Sequence, residues 1–71
     1  MSNFLPHQQR VVIEKFELDE KLAKLRAFMD LPAFTALPMD ERARLTEQER
    51  YMAAYADVLG RRIEAFRTAP V

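Results

Sequence analysis

Apolar residues between Pro6 and Asp30 recur at helical spacing, and they form two stripes. Val11, Leu18, Leu22, Leu25 and Met29 are separated by seven, four, three and four positions and share one face. Ile13, Phe16, Ala23 and Ala27 share the opposite face, with Val12 beside them. The second half of the chain repeats the arrangement. Leu45, Met52, Ala56, Leu59, Ile63 and Phe66 form a main seam, while Tyr51, Ala54, Val58 and Ala65 lie well round from it, with Arg61 among them. A helix packed on one neighbour buries one stripe. The second stripe on each helix therefore asks for a helix from another copy of the chain.

The four prolines punctuate this pattern. Proline is tolerated in a first helical turn and breaks a helix interior. Pro6 opens a helix over about 6–30, with Ser2 or Asn3 as caps for a preceding turn. Pro32 and Pro38 bracket a connector, 31–38, that carries a short helical turn around 33–36. A second helix over about 39–68 begins where Asp40 and Glu41 suit the positive end of the helix dipole. Arg61, Arg62 and Arg67 suit its negative end, and Pro70 stops it. A short connector makes neighbouring helices antiparallel. The expected fold is all-α: a single domain, 1–71, formed by an antiparallel helical hairpin with a short connector turn and completed by homo-oligomerisation. Gly60 falls inside the second helix, at a cost of about 1 kcal/mol relative to alanine. It marks a tolerated imperfection, or a close approach by another backbone or by a ligand.

Composition narrows the function. A chain of 71 residues buries little surface alone, and self-association is a common remedy. It has no cysteine and one histidine, His7, so neither a disulfide nor a thiol or histidine metal site is expected, and no cofactor. Eleven basic residues balance eleven acidic ones, which argues against general DNA or RNA binding. No apolar run approaches membrane-spanning length, and the N-terminus lacks the pattern of a signal peptide, so the expected location is cytoplasmic. No nucleophile–base pair and no glycine-rich phosphate loop are evident, so the chain is not expected to be an enzyme. Glu14, Glu17, Asp19 and Glu20 read as a solvated helical face.

Binding has more to work with. His7, Gln8, Gln9 and Arg10 cluster at the start of the first helix, where free N–H groups and the dipole accept phosphate. The Arg10 guanidinium presents a fork of donors to phosphate oxygens. In an antiparallel hairpin Arg61 and Arg62 return to this end, which would gather three guanidiniums and two amides. The plainer reading pairs these arginines with Glu14 or Glu64, or lays their stems over apolar surface. Phe16 suits either base stacking or an intersubunit core. Tyr51 leans outward as an interface or ligand residue, whereas Tyr55 borders the main seam. Met29, Met39 and Met52 fill core gaps.

His7-Gln8-Gln9-Arg10-Val11-Val12, then Glu14, Leu18, Lys21, Lys24-Leu25 and Ala27-Phe28, resemble the first half of a small phage hairpin family. Met52, Tyr55, Val58-Leu59 and Arg62-Ile63 resemble its second half. The family is similar to the hairpin domain of the phage anti-CBASS and anti-Thoeris sponge proteins, which sequester cyclic nucleotide messengers of bacterial antiviral signalling. The resemblance implies a homo-oligomer, a hexamer in characterised members, acting in the cytoplasm of an infected host cell. It implies that cyclic di- or trinucleotides are held between protomers and not cleaved. Arg10, Glu14 and Arg62 match its phosphate-binding positions, and Phe16 is the nearest match to an aromatic that stacks on a base. The remaining ligand-binding candidates are His7, Gln9 and Arg61. Asp30-Leu31-Pro32 departs from the pattern, because an aspartate repels phosphate, and this favours the trinucleotide pocket. The alternative is a small helical oligomeric adaptor or structural protein with no small-molecule ligand.

Overall fold

The computed structural model describes residues 4–68. Two long helices, α1 (Pro6–Met29) and α3 (Met39–Thr68), lie antiparallel and are joined through a short helix, α2 (Pro32–Thr35). Ser2, Asn3 and Pro70, which the sequence suggests as caps and stop, lie outside the described residues. Among the described residues, no helix is long and apolar enough to cross a membrane.

Each helix end has a local cause. Pro6 occupies the first turn of α1, and Leu5 serves as its N-cap in an extended conformation. Leucine has no side-chain acceptor, so Gln8 supplies part of the capping. Its Oε1 accepts the Leu5 N–H at 2.9 Å. The Gln9 amide donates to the Phe4 carbonyl at 2.9 Å and folds the entering chain against the helix. At the other end, Leu31 precedes proline and is extended, as that position requires. It therefore ends α1 and caps α2. Pro38 repeats the stop before α3, and its carbonyl accepts the Arg42 N–H at 3.0 Å. Asp40 and Glu41 occupy the first turn of α3, where the dipole favours negative charge.

The main seams meet as their spacing requires. Val11 and Leu22 from α1 and Ala56 and Leu59 from α3 are buried, with Leu59 at 0% exposure. Leu18, Leu25 and Met29 face Leu45, Met52, Ile63 and Phe66 at half-burial. An aromatic pair closes each end. Phe4 meets Phe66 edge-on at 6.1 Å at the open end, and Phe28 meets Phe34 edge-on at 6.0 Å beside the connector. Between them, Arg26 Nε bonds Glu49 Oε2 across the hairpin at 2.8 Å.

The second stripes stay uncovered. Phe16 is 65% exposed and Ile13 57%, and Tyr51 and Val58 are exposed on α3. The molecule is a rod of 51 × 18 × 15 Å with a radius of gyration of 15.8 Å. A compact domain of this length would have a radius of about 11 Å. Its accessible surface is 5627 Å². A compact monomer of this mass would expose roughly 4600 Å².

Within the chain, Gly60 is a point of close approach by a side chain. A Cβ at this position would lie 3.2 Å from Lys15 Cε, so the lysine stem runs over the glycine. That stem is flexible, and its end is held by an exposed pair, Lys15 Nζ to Asp19 Oδ2 at 2.8 Å, which is worth little. The helix-propensity gain outweighs a shift of a few tenths of an ångström. Gly60→Ala is therefore expected to stabilise the protein by up to about 1 kcal/mol in chemical denaturation. A loss of stability would show that the lysine stem cannot yield.

Candidate functional site

The steps from Arg10 to Glu14, Glu17 and Lys21 are four, three and four residues, so these side chains share one edge of α1. Together with Ile13, Leu18 and Tyr55 of α3 they line an open groove of about 420 Å³. Arg62 lies seven residues, two helical turns, beyond Tyr55 and therefore on the same side of α3. Because the helices are antiparallel, Arg10 and Arg62 both lie toward the open end of the hairpin from the level of Glu14 and Tyr55. Along this edge, Arg10, Lys21 and Arg62 form no ion pair with any described residue. By contrast, Lys15, Arg26, Arg44, Arg61 and Arg67 are each engaged by a carboxylate, while Lys24, Arg42 and Arg50, which do not line the groove, have no ion pair with a described residue either.

The expected gathering of three arginines divides here. Adjacent helical residues project about 100° apart, so Arg61 and Arg62 cannot face the same edge. Arg61 turns to the other side of the hairpin, where its Nε bonds Asp57 Oδ2 at 3.0 Å and it borders a groove floored by Ala56 and Gly60. His7 and Gln9 are exposed in the first turn of α1, with the Gln9 amide committed to the Phe4 carbonyl. Phe16 stands on the outward stripe and lines neither groove. Asp30 caps the far end of α1, roughly 24 Å along the axis from Glu14. It does not line this groove.

Sequence position puts Tyr55 at the seam and favours Tyr51 as the ligand candidate. The structure instead gives the groove to Tyr55, whose hydroxyl donates to Glu14 Oε2 across the two helices. Tyr51 lies beneath the Arg50 guanidinium, 5.5 Å from the ring centroid. The seven-residue step from Tyr55 to Arg62 is a usable signal, since it puts both on one face. The stagger that sets Tyr55 opposite Glu14 has no such signal, because it depends on the connector.

The hydrogen bond to Glu14 raises the Tyr55 pKa above the ordinary tyrosine value. Desolvation and the Glu14 charge add to this, and Arg62 opposes it. A phenol whose pKa is raised on folding contributes stability that is complete below its unfolded value, about 10, and lost as pH climbs through the folded value. The Tyr55 hydroxyl thus remains a donor through the neutral range and is lost as one in alkali. The chain has two tyrosines, so Tyr51→Phe leaves Tyr55 as the sole phenol. In that protein the tyrosinate absorbance is expected to appear at higher pH than for free tyrosine. Adding Glu14→Ala, which removes both the acceptor and the charge, is expected to bring it back down. An ordinary titration before that second change would show that the bond does not form.

A family model for Sequestin matches residues 5–65. No curated protein and no solved structure matches the chain. The family match runs from the N-cap of α1 through the connector to the last turns of α3. It takes in both helices and the whole edge from Arg10 to Arg62, and the chain belongs to the Sequestin family.

Proposed function

We propose that this protein is a phage immune-evasion factor that binds and sequesters cyclic oligonucleotide second messengers, cyclic di- or trinucleotides, without cleaving them. The observation that carries the reading is the row of uncommitted cations. Arg10 and Lys21 line the groove and Arg62 lies on the Tyr55 side of the facing helix, all three without carboxylate partners among the described residues. Guanidinium forks and a lysine ammonium suit phosphate oxygens. The neutral overall charge suits a small phosphorylated ligand better than a long nucleic acid. The Sequestin family name agrees with a role in holding something away from its receptor. On this reading the protein has no catalytic step and works in the cytoplasm of the infected cell.

The active form in this proposal is a homo-oligomer, a hexamer by resemblance. The surface in excess of a compact monomer and the exposed Ile13, Phe16, Tyr51 and Val58 support association through the second stripes. The same stripe also favours the rival, an adaptor in which these residues meet only protein. The two readings part at the arginines.

Calorimetric titration with cyclic diadenylate, cyclic diguanylate, cyclic GMP–AMP and cyclic triadenylate tests the reading, with mass followed by light scattering. Wild-type protein is expected to bind at least one of them at a fixed ratio per subunit and to release it intact. Arg62→Ala is expected to weaken that binding by at least about tenfold, the usual size of a lost charged hydrogen bond, while the mass is unchanged. An assembly that binds none of the four supports the adaptor instead. Separately, Phe16→Glu is expected to reduce the scattering mass to that of smaller species, because it places a charge in the proposed interface. An unchanged mass would remove the second stripe from the assembly.

A further inference from the structure

The groove beside Arg10 is not a plain anion trap. Its α1 wall sets two carboxylates, Glu14 and Glu17, between two cations, Arg10 and Lys21. Carboxylates repel phosphate and would weaken a site meant for phosphate alone. Being acceptors only, they suit a ligand that brings hydrogen-bond donors along with its negative charge. Ile13 and Leu18 add apolar wall for the flat part of such a ligand.

Glu14 is also held in place. Tyr55 reaches from the facing helix and donates to Glu14 Oε2, while no described residue engages Oε1. Both partners line the groove, so this bond is part of its wall. A carboxylate fixed through one oxygen presents the other in a defined direction, whereas a free glutamate would lose side-chain entropy on meeting a ligand.

Resting on the cyclic-nucleotide reading above, we infer that Tyr55 is a positioning residue for ligand recognition. By anchoring Glu14 Oε2 it aims Oε1 at a hydrogen-bond-donating edge of the nucleotide, while Arg10, Lys21 and Arg62 take the phosphates. The donor is a base amino group or a ribose hydroxyl. Tyr55 thus governs discrimination between nucleotides and bare polyphosphate, and it does so without touching the phosphates.

The test compares wild type, Tyr55→Phe and Glu14→Gln by calorimetry on the full chain. The probes are the tightest-binding cyclic nucleotide of the panel, its 2′-deoxy analogue, its analogue lacking the exocyclic amine, and inorganic tripolyphosphate. Tyr55→Phe is expected to weaken the cyclic nucleotide by about tenfold and leave tripolyphosphate unchanged. Glu14→Gln is expected to weaken the nucleotide and tighten tripolyphosphate, because it removes a repelling charge. The analogue that binds wild type no better than the parent binds Tyr55→Phe identifies the donor. Circular dichroism checks that the helices persist, and if Tyr55→Phe loses them, the opposed shifts in Glu14→Gln decide the matter. Equal binding of the nucleotide by wild type and Tyr55→Phe, or an equal loss for both probe classes, overturns the positioning role and leaves the sequestering reading standing. Failure of wild type to bind any cyclic nucleotide overturns both.

Discussion

Two helices lying side by side can cover only one face of each other, and this limit governs the whole molecule. Among the described residues, the covered faces supply a core of four buried side chains: Val11, Leu22, Ala56 and Leu59. Such a core is small for a chain of this length. Ties at its margins add to it. Aromatic pairs hold the two ends, and Arg26–Glu49 and Tyr55–Glu14 cross between the helices along its length. What remains outside is an apolar back and two charged edges, and the proposed activity is divided between them.

The two edges differ in kind. On one, charges are matched within the chain: Lys15 with Asp19, Asp57 with Arg61. On the other, Arg10, Lys21 and Arg62 are left without carboxylate partners, although Glu14 and Glu17 stand beside them. The Glu14 carboxylate is taken up instead by the Tyr55 hydroxyl. A neutral donor has satisfied the acid without consuming a cation. The edge thus keeps its three cations unpaired among the described residues.

The helical class is legible in the sequence because it rests on period and punctuation. Leu18, Leu22 and Leu25 can share a face only on a helix, and Pro32 and Pro38 can only bracket a break. The main seams are legible for the same reason, since the residues that spacing assigns to them are the ones withdrawn from solvent. The edges are less legible. Neighbours in sequence such as Arg61 and Arg62 look like one cluster, and only their angular separation sends them to opposite sides. The partnership of Glu14 with Tyr55 spans 41 positions and depends on how far one helix slides past the other. That stagger is fixed by Leu31, Pro32 and the Phe28–Phe34 contact, and no periodicity encodes it. Lys15 over Gly60 is hidden in the same way.

The placement of the two aromatic pairs has a kinetic side. The Phe28–Phe34 pair closes a very short loop beside the connector, whereas Phe4 and Phe66 must meet across nearly the whole chain. Loop-closure entropy favours the near contact first, so the hairpin zips from its connector and the free end closes last. By the same order, the free end frays first when the native state opens locally. Arg10 and Arg62 belong to that last-closing segment. Under the proposed function, an anion shared between them would act as a clasp on the end of the zipper, so that occupancy of the groove and persistence of the fold would rise together.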